Sequence, residues 1–317
     1  MLNFFYIAKN TFRESLREPI FFVLLVSALI MIGLFPSMSM FVFREQIKLV
    51  IDSAMATTMV FGLGAAVLCA SHTVSREMRN GTALLLMSKP VHRWSFILAK
   101  ICGIMAALTL FVFICNVSSL ISVRVATDQF QLDFTAMYIY FGLIFVSGLV
   151  GAVRNFLYQS SFSSAAIFSL LIIIPLFALA INFVPVNGEN VPIRLDMVPA
   201  LVLLFFAVWT MGTITVVFST RLDMVANMTV CAVIFLLGLV SNYFLGKGSE
   251  TNIIYTFFYT LLPNWQFFWM ADALASNQSI PFSYIVFAGI YFILYVFFCC
   301  IWAVALFQNR EIGKDTR

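Results

Sequence analysis

Residues 75–100 read SREMRNGTALLLMSKPVHRWSFILAK. They lie between two long apolar runs, 53–74 and 99–123, and carry Arg76, Arg79, Lys89, Arg93 and Lys100, the densest basic cluster in the chain. A basic link between two such runs reads as the cytoplasmic loop between two membrane spans. Inside it sits an apolar run, Ala83 to Met87, that nothing in the loop covers. Asn80-Gly81 predicts a turn. Thr82 can cap a short helix by accepting from the free amides of its first turn. Leu84, Leu85, Leu86 and Met87 then make about one and a half turns, and Ser88-Lys89-Pro90 stops the helix. An apolar helix held outside the membrane needs a covering surface. It can dip into the interface, pack on the first helix, or dock on a partner.

The rest of the chain supports the membrane setting. Of 317 residues 62% are hydrophobic and 10% are charged, with 36 phenylalanines and a mean hydropathy of +1.01. A soluble domain carries about 25% charged residues. A span needs about 20 apolar residues. The runs 20–43, 53–74, 99–123, 135–153, 161–184, 198–219, 225–245 and 282–307 qualify. The expected fold is therefore all-α: a single polytopic domain over 1–317 with about eight transmembrane helices. The short polar link around Arg154-Asn155 and Gln159-Ser160-Ser161 is suited to a tight helical hairpin. Residues 253–271, within the outer segment 246–281, are apolar and aromatic but broken by Pro263-Asn264-Trp265. They are expected to be re-entrant or interfacial.

Residues 3–18 precede the first span and form an amphipathic elbow helix. Phe4, Phe5, Ala8, Phe12 and Leu16 share one side, Lys9, Arg13 and Arg17 form a ridge beside them, and Glu14 and Glu18 lie beyond. Such a helix lies in the interface with its basic face toward anionic lipid headgroups. No cleavable signal peptide is expected. With the N-terminus inside and eight spans, Lys and Arg concentrate on the cytoplasmic side. Only Arg44, Lys48, Arg124, Arg194 and Lys247 fall outside. That bias fits a cell (inner) membrane protein with both termini cytoplasmic.

Chemistry is sparse. No charged residue is expected mid-span, which disfavours a proton-driven carrier. His72 and His92 have no companions at metal-ligand spacing, and Met38-Met40 and Cys299-Cys300 are ordinary in so apolar a chain. All six cysteines lie in apolar runs, so no disulfide framework is expected. There is no phosphate loop and no nucleophile elbow. No basic block is long enough for nucleic acid. No catalytic, cofactor or metal site is expected.

The loop resembles one found in ABC-2 type permeases, the membrane subunits of ATP-binding cassette exporters. That family joins its second and third spans by Glu, Gly-Thr, a Leu-rich turn, Pro-Val-x-Arg and a Lys. Here these are Glu77, Gly81, Thr82, Leu84 to Leu86, Pro90, Val91, Arg93 and Lys100. Ser219 to Asn227 is similar to the family's mid-chain cytoplasmic turn, Phe307 to Glu311 to its ending, and 3–18 to its elbow helix. Many members have six spans, and 135–153 and 161–184 have no counterpart. The resemblance implies that the 75–98 loop docks on a separate ATP-binding cassette ATPase subunit through Leu84, Leu85, Leu86 and Met87. Glu77, Gly81, Thr82, Pro90 and Arg93 would shape or fix that surface. It also implies a second permease copy or homologue, and ATP and Mg bound only on the ATPase. The other classes weighed are an ATPase-independent transporter or channel, a lipid-modifying enzyme, and a scaffold using the same fold without transport.

Overall fold

A computed structural model describes residues 2–39, 46–75, 92–126, 132–185, 191–246, 253–276 and 278–308. Among these residues there is no strand. The helices are α1 (Leu2–Arg17), α2 (Pro19–Ser39), α3 (Gln46–Ala70), α4 (Arg93–Val125), α5 (Phe134–Tyr158), α6 (Phe162–Ile181), α7 (Val198–Ser219), α8 (Met224–Phe244), α9 (Ile253–Leu261), α10 (Ala271–Ala275) and α11 (Phe282–Gln308). Eight of them, α2 to α8 and α11, are long and apolar enough to cross a membrane. Among the described residues, this matches the expected number of spans.

The boundaries differ in instructive ways. α3 begins at Gln46 rather than 53 and so includes Lys48 and Asp52. α4 begins at Arg93 rather than 99 and runs for 33 residues. At 1.5 Å per residue it is about 50 Å long, well beyond a ~30 Å hydrocarbon core. Hydropathy marks only the apolar middle of a helix, whereas backbone hydrogen bonding continues into its charged ends. The loop is shorter than 75–98 accordingly, because its last residues are the first turns of α4.

The centre is α7, which packs on α3, α4 and α11. In the most apolar stretch of α7 with the 3₁₀ turn before it, 72% of residues are buried, against 22% in α8 and in α11. α2 lies against α3 and α4. α5 and α6 form the expected hairpin, packed on each other and joined to the rest through α1, α2 and α4. Gln159 closes α5 in the left-handed conformation, φ 53°. Asn155 Nδ2 donates to Ser160 O (2.7 Å), and Ser160 Oγ donates to Arg154 O (3.1 Å).

Between α8 and α11 the chain makes two short helices around a 3₁₀ turn, Trp265–Phe268. α9 has nine residues, about 13 Å, too short to span. Three tyrosines of α11 satisfy this irregular backbone. Tyr295 Oη donates to Leu261 O (2.8 Å), Tyr291 Oη accepts from Asn264 N (3.2 Å), and Tyr284 Oη donates to Phe267 O (2.9 Å). The Trp265 indole is fully buried and donates to Phe235 O of α8 (3.1 Å).

Candidate functional site

Glu77, Gly81, Thr82, Leu84, Leu85, Leu86, Met87 and Pro90 lie outside the described residues. Arg93 is described: it opens α4 and is exposed, beside Trp94, whose ring stacks on His92 at 6.3 Å. The two edges of the loop, and what holds them, are therefore visible.

The leading edge leaves α3 through a π-helical turn, Ser71–Ser75. Such a turn rotates side chains out of the regular helical register, and it often marks a functional position. Ser71 Oγ accepts from Asn227 Nδ2 at 2.8 Å, and the same amide reaches Thr215 O at 3.2 Å. Cys231 Sγ closes the cluster, 3.4 Å from Asn227 Oδ1 and 3.5 Å from Thr215 Oγ1. Ser71 and Asn227 are fully buried. This polar knot ties the start of the loop to α7 and α8. His72 Nδ1 lies 3.0 Å from Glu18 Oε1, off the direction of a hydrogen bond. The residue joining α1 to α2 thus touches the π-turn that leads into the loop.

The trailing edge is fixed by Lys100. Its side chain is buried, 3.9 Å from Glu14 Oε2 of α1 and 5.8 Å above the Phe96 ring. Phe96 in turn stacks on Phe307 of α11 at 5.8 Å. Arg221, in the turn between α7 and α8, donates to Leu306 O at 2.7 Å. The described parts of the three resembling stretches therefore meet at one end of the bundle; Asn309 to Glu311 lie outside the described residues.

Sequence reasoning made residues 3–18 an amphipathic helix and named no face for its packing on other helices. Thr11, Ser15 and Leu16 are buried, while Phe5 is 64% exposed. α1 rests on α4 through its small polar residues. A Cβ on Gly103 would meet Ala8 O at 2.5 Å and Thr11 Cβ at 2.7 Å. Close helix approach in membranes favours such small residues, which a hydropathy scale assigns to the exposed side. The charges of α1 segregate as well. Glu14 and Glu18 turn to Lys100 and His72, and Lys9, Arg13 and Arg17 turn away.

At the opposite end, sequence reasoning treated Arg124 as a loop charge. It is a buried strut. Its guanidinium donates to Val184 O (2.8 Å) and Val191 O (3.1 Å) and lies 3.5 Å from Asp133 Oδ2. Asp133 also caps α5 by accepting from Ala136 N at 2.9 Å. Only the position of Arg124 at the very end of an apolar run hinted at this. Among the described residues no group of three His, Cys, Asp or Glu stands ready to hold a metal ion.

No protein-family model matches the chain, and no curated protein matches it.

Proposed function

We propose that the chain is the membrane permease subunit of an ABC-2 type transporter, exporting a substrate with energy from a separate ATP-binding cassette ATPase. It carries no ATPase of its own. Two ATPases work with two permeases, or with this chain and a homologue, in the inner membrane with both termini cytoplasmic. Leu84, Leu85, Leu86 and Met87 form the helix that docks in the ATPase. Gly81 and Thr82 turn and cap it, Pro90 ends it, and Glu77 and Arg93 make charge contacts or fix the loop. The outer segment 253–271 re-enters from the far side and lines or gates the exit.

The observation that carries the proposal is the order Glu77, Gly81-Thr82, Leu84–Leu86, Pro90-Val91, Arg93, Lys100 between two spans. Support comes from the frame of the loop. A push on a docked helix reaches α3 through the π-turn at Ser71–Ser75, α7 and α8 through Asn227, and α1 through Glu18 and Glu14. A loop meant only to connect two spans has no need of so many buried anchors.

The test is purification of the tagged full-length chain from its native membrane, with mass spectrometry for an ATP-binding cassette subunit. The wild type is expected to bring one down, and L85D/L86D to lose it while keeping its own yield and monodispersity. An ATPase retained by L85D/L86D would sink the docking assignment. A wild-type chain that brings none down would favour an ATPase-independent channel or carrier.

A further inference from the structure

A cleft of about 870 Å³ opens between α1 and the α5–α6 hairpin. Four cations from two elements line it: Lys9, Arg13 and Arg17 on α1, and Arg154 at the end of α5. The i, i+4, i+8 spacing sets the first three along about 12 Å of one helix face. Among the described residues, no acidic residue lines the cleft and none of the four cations has an ion-pair partner. The acids nearest in sequence are engaged elsewhere, Glu14 of α1 with Lys100 and Glu18, just after α1, with His72. Four like charges held in one concave site repel one another and are stabilised by an anion between them.

Two further features define the anion. Ser160, Ser161 and Ser164 line the cleft; the Ser160 hydroxyl already donates to Arg154 O, whereas Ser161 makes no side-chain cap on the 20-residue helix α6. The cleft wall at Ser161 and Ser164 is the positive end of the α6 dipole, which favours an acceptor with several oxygens. The floor is apolar, made by Phe12, Leu16, Ala165 and Phe168. From Phe168 an exposed stripe continues along α6 through Ile172, Leu176 and Leu179 toward the other end of the bundle. Arg/Ser chemistry at the mouth with an apolar track leading away suits a phosphate attached to a hydrocarbon chain.

We propose that this cleft is a discrete binding site for the phosphate-bearing headgroup of an anionic membrane lipid. Arg13, Arg17 and Arg154 grip the phosphate, and an acyl chain lies along Phe168, Ile172, Leu176 and Leu179. Arg154 distinguishes this site from a basic helix resting on any negative surface, because it approaches from the opposite wall. The α5–α6 pair thereby acquires a role: it supplies the second wall. The proposal stands independently of the transport assignment.

The test is native mass spectrometry and fluorescence titration of the detergent-purified full-length chain. The probes are short-chain phosphatidylglycerol, phosphatidylcholine, and soluble glycerol phosphate. One phosphatidylglycerol per chain is expected to bind saturably, at least about tenfold more tightly than phosphatidylcholine, with glycerol phosphate a weak competitor. R154Q and R13Q/R17Q should each weaken phosphatidylglycerol binding, by about fivefold per charge removed. R154K should recover much of the loss, and K48Q, which removes a charge at the other end, should change nothing. Equal binding of the two lipids, or an R154Q variant indistinguishable from wild type, overturns the site. Glycerol phosphate binding as tightly as the lipid overturns the lipid and assigns the cleft to a soluble phosphate; this comparison needs no variant.

Discussion

Pro36 has no N–H, so the carbonyl of Ile32, one turn earlier in α2, loses its helical donor. In hydrocarbon such a group must find another partner within the protein. Ser122 Oγ of α4 supplies it at 2.7 Å. One turn back, Leu29 O accepts from Tyr140 Oη of α5 at 3.0 Å. The tyrosine ring passes where only a glycine leaves room, since a Cβ on Gly33 would stand 2.5 Å from Tyr140 Cε1. A proline in an apolar run is visible in a sequence. Its donor, 90 residues away in the chain, is not. Ser122 looks like any small residue in a span until the helices are placed. The pair gives a double-mutant cycle. S122A should cost about 0.6 kcal/mol, with a ceiling near 1.7 kcal/mol, as for interhelical hydrogen bonds in membranes generally. P36A restores the N–H at 36, so S122A should be nearly neutral in that background. Thermal unfolding in detergent reads both. Equal costs in the two backgrounds would mean that Ser122 does not serve the carbonyl freed by Pro36.

At the scale of elements, the apolar spans were legible because each needs an uninterrupted apolar middle, and the α5–α6 turn because its polar residues are so few. The contact face of α1 was not. Its amphipathic pattern separates charged from aromatic residues, but the protein-facing side is a third stripe, Thr11 and Ser15, whose hydroxyls bond back to Ile7 O and Thr11 O at 3.0 Å each. Those bonds hide the polar atoms and leave small, smooth surfaces for α4. Gly103 is the point of closest approach, so it should control the docking of α1. G103V is expected to lift α1 away and to raise hydrogen–deuterium exchange over residues 4–16, with α7 unchanged. G103A should do less, because a lone Cβ displaces α1 by less. Unaltered exchange in G103V would place the anchoring of α1 elsewhere, in Glu14 and Glu18.

The whole molecule has two unlike ends. One gathers Lys9, Arg13, Arg17, Arg93, Lys100, Arg154 and Arg221, the other Lys48, Arg124 and Arg194. That asymmetry was legible from the loops once eight spans were assumed, and the number of spans turned on 253–271. Hydropathy alone would have made this a ninth span and moved the C-terminal residues across the membrane. The break at Pro263-Asn264-Trp265 was the sequence's warning. What it could not convey is how the break is kept: Asn264 bonds Tyr259 and Tyr291, and Gln266 bonds Asn242 of α8. Those contacts, with that of Tyr284 on Phe267 O, hold the break against the end of α8 and the first turn of α11; on the eight-span reading both helix ends lie on one side. Single cysteines at Asp196 and Ser276, both exposed, should therefore react with an impermeant thiol reagent from the same face of intact cells or oriented vesicles. A cysteine at Asn155, exposed at the end of α5, should react only from the other face. Labelling of position 276 from the face that labels 155 would mean that the chain crosses between α8 and α11, and the charge asymmetry would then have to be redrawn with nine spans.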